Sequence, residues 1–187
     1  MADPQERSEG DLHWLGGIMD GEASFCITTK RDVYGRVHLS PDIAIGNTSP
    51  IMVAEIKRIL AMHDLPVWVS ERPAGVSKRT KISWQLTARG PKRVGRWLKV
   101  LLPYIRSRRH DAAMLYDFVM SRLSKSPVMP YSEQEITWCE QLRHGNRTRI
   151  SSETLRQTLA RQIIGAPKGN TNRLGGVKIK SDLTAKA

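Results

Sequence analysis

The chain has 187 residues, 40% hydrophobic and 26% charged, with 30 Lys+Arg against 18 Asp+Glu and a formal net charge of +12. That length suits one domain with a real core and an appendage. No apolar run approaches the ~18 residues of a membrane span. The polar "MADPQERSEG" start lacks a signal-peptide core, and two cysteines make no disulfide framework. Cys139 and His144 alone do not make a zinc site.

The charge points to a polyanion, because from Arg72 to Arg109 there are twelve basic residues and no acid. A solvated surface ordinarily mixes the two signs. Nucleic acid is therefore the expected partner, ahead of an acidic protein. An intracellular setting is expected: a bacterial or phage cytoplasm, or an organelle matrix, not secretion. No membrane association is expected.

In chain order, residues 1–10 are expected to be a flexible N-terminus. Residues 11–21 read as a helix with two apolar faces: Leu12, Leu15 and Met19 on one, Trp14, Gly17, Ile18 and Gly21 on the other. Residues 24–31 alternate as a strand, 32–36 read as a turn, and a second strand runs from Val37 to Gly46, with Pro41 near a bend or edge. "NTSP" at 47–50 opens a helix, polar caps preceding a first-turn proline. "VWVSER" (67–72) and "KISWQLTAR" (81–89) form a strand pair. In the second, Ile82, Trp84, Leu86 and Ala88 face one side. Lys81, Ser83, Gln85, Thr87 and Arg89 face the other, a row of donors for phosphates and base edges.

A short helix starts at Pro91 and stops at Pro103. A longer one spans about Ser107 to Leu123. Two prolines in "KSPVMPYSEQE" place a domain boundary near Ser124 to Pro130. Beyond it, Ser132 and Glu135 have the spacing of a capping box, and Ser151 or Ser152 caps a further helix. Residues 125–187 carry 11 basic and 5 acidic residues and end in a Gly- and Lys-rich tail expected to be flexible. The organisation is thus 1–10, a main domain 11–124, and a basic, partly helical extension 125–187.

One stretch resists a purely structural account. "HWLGGIMDGEASF" (13–25) sets three glycines in a helix, each costing about 1 kcal/mol against alanine, and ends the helix on acid, against its dipole. "LGGIMDGEASF" resembles the LAGLIDADG motif of homing endonucleases. Leu15, Gly17 and Asp20 match by identity, Ile18 and Met19 conservatively. Gly16 and Gly21 keep small positions, and Glu22 stands where the family carries its metal-binding acid. Ala23 replaces the motif's last glycine. Two later segments are similar in the family's order: "IAIGNTSP" at the second strand's end, and "LPYIRSRRHDAAMLYDF" at the start of the last long helix. The resemblance covers about residues 11–123.

The resemblance implies an α+β fold of order αββαββα, a curved antiparallel sheet with helices on one face, followed by a short helical appendage. It implies a Mg²⁺-dependent endonuclease, with Mn²⁺ or another divalent ion as a substitute, that hydrolyses both strands of a long DNA site. One motif copy implies a homodimer and a roughly palindromic site. By resemblance the catalytic set is Glu22, Asn47, Arg108 and Asp20, with Glu22 and the Gly21 carbonyl on the metal. Asp20 ranks second because the motif's first acid is more often structural. Arg106 and Arg109 are neighbours able to replace Arg108. Trp14, Gly17, Ile18 and Gly21 would form the dimer interface. Ser24, Thr28, Lys30, Ser70, Arg72, Lys81, Ser83, Gln85, Thr87 and Arg89 are the candidate DNA contacts. Alternatives on the same fold are an intron RNA maturase and a non-cleaving DNA-binding regulator. A basic structural protein would bind without sequence preference.

Overall fold

The computed structural model describes residues 4–31, 37–73, 82–126, 129–142 and 152–164. The expected turn at 32–36, Lys81, His144, Ser151 and the Gly- and Lys-rich tail lie outside them. The elements run α1 (Pro4–Glu22), β1 (Ala23–Arg31), β2 (Val37–Asn47), α2 (Pro50–Met62), β3 (Trp68–Arg72), β4 (Ser83–Arg89), α3 (Pro91–Leu101), a single 3₁₀ turn (Leu102–Tyr104), α4 (Arg109–Leu123), α5 (Glu133–Leu142) and α6 (Ser152–Ile164). The expected αββαββα order is present, in an antiparallel sheet of order β1-β2-β4-β3.

The two-residue period of each strand separates the sheet into two faces. Phe25, Ile27, Ile43, Ile45, Leu86 and Ala88 are all buried, against helices α1 to α4. Their neighbours in sequence form the opposite, polar face. Register joins that face across strands: Ser24 pairs with Ala44, Thr28 with Ser40, Asp42 with Arg89, Gln85 with both Gly46 and Ser70, and Arg72 with Ser83. Among the described residues no helix is long and apolar enough to cross a membrane.

Three expectations are corrected. Residues 4–10 are helical, because Pro4 suits a first helical turn, and Ser8 Oγ lies 3.5 Å from His63 Nε2. Pro41 lies inside β2 rather than at an outer edge. It is tolerated because the β4 pairing begins only at Asp42, and its carbonyl accepts the Gly90 N–H at 2.9 Å. Gly90, at φ +83°, provides the left-handed turn from β4 into α3.

The third concerns the extension, whose α5 and α6 do not form a separate unit. Ile136, Cys139, Leu142, Leu155 and Leu159 join the main core. The reason is a polar joint that the proline-rich sequence around it conceals. Glu135 is fully buried and accepts from Ser121 Oγ at 2.7 Å, Lys125 Nζ at 3.0 Å and the Ser132 N–H at 2.8 Å. Arg122, 8% exposed, completes the pair at 3.4 Å and stacks on Tyr131. The Ser132 hydroxyl returns the bond to the Glu135 N–H, so the expected capping box forms. Tyr131 Oη accepts the Leu39 N–H at 2.9 Å, covering part of β2 that β4 leaves unpaired.

Candidate nucleic-acid interface and acidic centre

Helix α1 is apolar on two sides, and the two sides have different fates. Leu12, Leu15 and Met19 are buried against the sheet. Gly16 also faces inward: a Cβ there would stand 2.7 Å from Tyr104 Cβ and 2.8 Å from its carbonyl carbon, so the 3₁₀ turn can approach only a glycine. Tyr104 packs edge-on against His13, with ring centroids 4.9 Å apart. Gly17 and Gly21 are different. A Cβ at either would meet nothing within 4 Å, and both residues are exposed. Trp14 is 37% exposed and Ile18 half-buried beside them. Among the described residues of the protomer nothing explains these two glycines.

The two acids at the end of α1 also differ. The Asp20 carboxylate accepts the N–H of Arg106 at 2.9 Å and of Arg108 at 3.0 Å. It ties α1 to the turn that leads into α4. Burial opposes its charge, but the N–H donors of Arg108, Arg106 and Ser107 outweigh burial and hold its pKa below the ordinary value. Glu22, by contrast, is exposed and makes no ion pair among the described residues. It stands at the last position of α1, where helix carbonyls have no partner within the helix.

Arg108 reaches this junction from the start of α4. Its Nη1 donates to the Ala23 carbonyl at 2.7 Å, its Nη2 to Asp111 at 2.7 Å, and its guanidinium lies 5.4 Å from the Phe25 ring centre. It therefore sits beside the acid-bearing end of α1 with much of its donor capacity engaged. Arg106 is exposed and lines a 310 Å³ hollow with His13, Gly17, Asp20 and Tyr104. Arg109 is exposed on the first turn of α4. Asn47 is half-buried at the end of β2, and its Oδ1 accepts the Ser49 N–H at 2.8 Å. In this conformation it shapes the turn into α2, whose N-cap Ser49 accepts from Met52.

Among the described residues no three His, Cys, Asp or Glu side chains gather to hold a metal. The donors at the end of α1 are a carboxylate and backbone carbonyls, all oxygen, the ligand type that Mg²⁺ prefers. One protomer offers one exposed carboxylate there among the described residues, with donors of the type such an ion takes.

The polar face of the sheet carries the candidate DNA contacts on one surface. Lys30, Arg72 and Arg89 are exposed, and Ser70, Ser83 and Gln85 half-buried. Ser24 and Thr28 keep hydroxyls at that face while donating to Ala44 O at 3.3 Å and Ser40 O at 3.2 Å. Thr87 is the exception. It is 2% exposed and donates to Trp68 O, because it lies between Ala44 and Trp68 in the ladder. A donor row read from alternation alone cannot anticipate that burial.

Two residues of this face escaped the sequence reading. Trp68 is 71% exposed, opposite Thr87. The sequence reading places it in a strand and assigns it no face. Asp42 is buried at 8% exposure and paired with Arg89. An acid on a basic surface is not what a charge count seeks. The strand register is the signal that would have found both.

No protein-family model matches the chain, and no curated protein matches it in sequence. Solved structures do. The homing endonuclease I-CvuI in complex with the I-CreI target in the presence of 2 mM Mg is 14% identical, with 83% of this chain and 96% of that one covered and a TM-score of 0.64. I-CvuI in complex with its own target in the presence of 2 mM Ca is 15% identical, with 84% and 97% covered and a TM-score of 0.64. The archaeal intron-encoded homing endonuclease I-Vdi141I complexed with DNA is 10% identical, with 84% and 99% covered and a TM-score of 0.65. The chain has the α+β fold of the LAGLIDADG homing endonucleases, over most of its length and of theirs.

Proposed function

We propose that this chain is a site-specific double-strand DNA endonuclease that acts as a homodimer with a divalent metal, Mg²⁺ first. The observation that carries the reading is the end of α1: among the described residues, an exposed Glu22 without an ion pair stands beside two glycines whose smallness no neighbour requires. Small residues allow two helices to approach closely. A second copy laid on Gly17 and Gly21, with Trp14 and Ile18 at the flanks, brings a second Glu22 to the same place. DNA then lies along the polar sheet faces of both protomers, and the two-fold axis sets a roughly palindromic site.

Glu22 and the Gly21 carbonyl from each copy would hold the metal. When bound, a divalent ion supplies an activated water and stabilises charge on the phosphate. The chain's own residues do the rest. Arg108 fixes the α1–β1 junction through the Ala23 carbonyl, which anchors the backbone next to Glu22. Arg106 and Arg109 supply positive charge for the phosphate. Asp20 keeps their turn in place. Lys30, Arg72, Arg89, Ser24, Thr28, Ser70, Ser83 and Gln85 face the groove. Binding falls steeply with salt, as several phosphates are neutralised.

The test is a randomised duplex library incubated with Mg²⁺ or with EDTA, the wild type beside Glu22→Gln, and the ends sequenced. Staggered, near-palindromic, Mg²⁺-dependent ends that vanish in the variant support the reading. Tight binding without ends overturns cleavage and moves the assignment to the regulator or, with intron RNA as ligand, the maturase.

A further inference from the structure

We infer that Asp42 is a positioning residue that holds the Arg89 guanidinium as a fork for one guanine in each half of the DNA site. The inference rests on the reading of the polar sheet face as a DNA surface.

Asp42 and Arg89 are direct partners in the β2–β4 register. Arg89 Nε donates to Asp42 Oδ2 at 3.1 Å. The pair is lopsided: the Arg89 side chain is 54% exposed and that of Asp42 only 11%. The acid is therefore the fixed member. Contact through Nε leaves Nη1 and Nη2 without a protein partner among the described residues. Those two donors match the O6 and N7 acceptors that guanine presents in the major groove.

Asp42 is hard to explain as a stabiliser of the fold. Its Oδ1 is buried and, among the described residues, without a hydrogen-bond partner. Burial pushes its carboxyl pKa above the ordinary value, and the Arg89 charge offsets this only in part. A buried carboxylate with one orphaned oxygen is a cost to folding. What it achieves is orientation, since an arginine fixed at Nε loses little freedom when its fork engages a base. Arg72 provides the contrast. It spends Nη2 on the neutral Gln85 Oε1, so one arm of its fork is already engaged.

A guanine contact and a phosphate contact make opposite forecasts. Losing a phosphate contact weakens all sequences alike, whereas losing a base contact relaxes one position. The experiment selects duplexes by binding, without reference to cleavage. It then measures competition among single-base variants of the selected site at fixed salt, for wild type, Arg89→Ala, Arg89→Lys and Asp42→Asn. The expected result is a guanine preference at one symmetry-related pair of positions. That preference falls roughly ten- to hundredfold in both Arg89 variants and partly in Asp42→Asn, with other positions unchanged. Arg89→Lys keeps the charge and the strand, so its failure cannot be a folding defect if its melting curve matches wild type. Uniform weakening in Arg89→Ala that Arg89→Lys restores would make Arg89 a phosphate contact and overturn the inference. An unaltered profile in every variant would do the same. If no sequence is selected at all, the DNA reading itself has failed, a result distinct from the other two.

Discussion

Glu22 and Glu135 are both glutamates close to arginines on neighbouring elements, and their surroundings are opposite. Glu135 is fully buried, with Ser121, Arg122, Lys125 and the Ser132 N–H on its two oxygens. Glu22 is exposed, and among the described residues no cation pairs with it. Arg108 passes close enough to bond the next residue's carbonyl, yet its ion pair is with Asp111. A carboxylate that holds a fold together has its donors within the chain. One that waits for a ligand keeps them absent, and its substitution should leave the fold intact.

The sharpest way to test that contrast is a pair of substitutions that dissociate activity from stability. Glu22→Gln is expected to lower cleavage by roughly a thousandfold, the several kcal/mol that a metal site contributes. Its unfolding free energy should stay within about 0.5 kcal/mol of wild type, as for an exposed residue. DNA binding in EDTA should persist. Glu135→Ala should do the reverse, losing about 3–5 kcal/mol in urea unfolding, because Arg122 and Lys125 lose their anion in a buried joint. Equal stability losses in the two variants would erase the distinction.

The glycines of α1 allow a second, smaller comparison. Gly16→Ala forces Tyr104 to move and should cost about 1–3 kcal/mol of protomer stability. Gly17→Ala meets nothing among the described residues of the protomer, and alanine's helical preference should stabilise the isolated chain by up to about 1 kcal/mol. In the proposed dimer the same methyl sits between two helices. Sedimentation should therefore show weaker self-association for Gly17→Ala. Unchanged association would argue against this face as the interface.

The smallest expected effect is in the acid limb. Glu135 and Asp20 have folded pKa values below their ordinary 4.5 and 3.8. For Glu135 burial acts against the charge, and the Ser132 N–H, Ser121 and Lys125 outweigh it. A lowered carboxylate adds stability that is complete above its unfolded pKa and disappears as pH falls through the folded one. Stability should thus decline below about pH 4.5, and Glu135→Gln should flatten that decline. Asp42 has the opposite sign. Its raised value adds stability only at low pH, lost as pH rises through the folded pKa. Asp42→Asn should therefore leave the fold no less stable near neutrality. A large loss there would assign Asp42 to the fold after all.

Local rules account for what was legible in the sequence. Alternation placed the strands, and the Ser49–Pro50 pair placed the start of α2. The spacing of Ser132 and Glu135 announced a capping box that the structure contains. The acidic Asp20–Gly21–Glu22 run marked the end of α1. Each of these signals lies within four or five residues, the range over which sequence constrains backbone.

Tertiary structure decided the rest, because the deciding contacts join distant segments. Whether a glycine is needed depends on what lies across from it: Tyr104 for Gly16, and nothing among the described residues for Gly17 and Gly21. Whether an acid is structural depends on donors 86 and 88 residues away, as for Asp20. Thr87 and Arg89 share one strand and one face, yet register buries the first against Trp68 O and hands the second to Asp42. Periodicity selects a residue's face. Only the neighbouring strand determines whether its polar atoms are already bonded or still free for DNA.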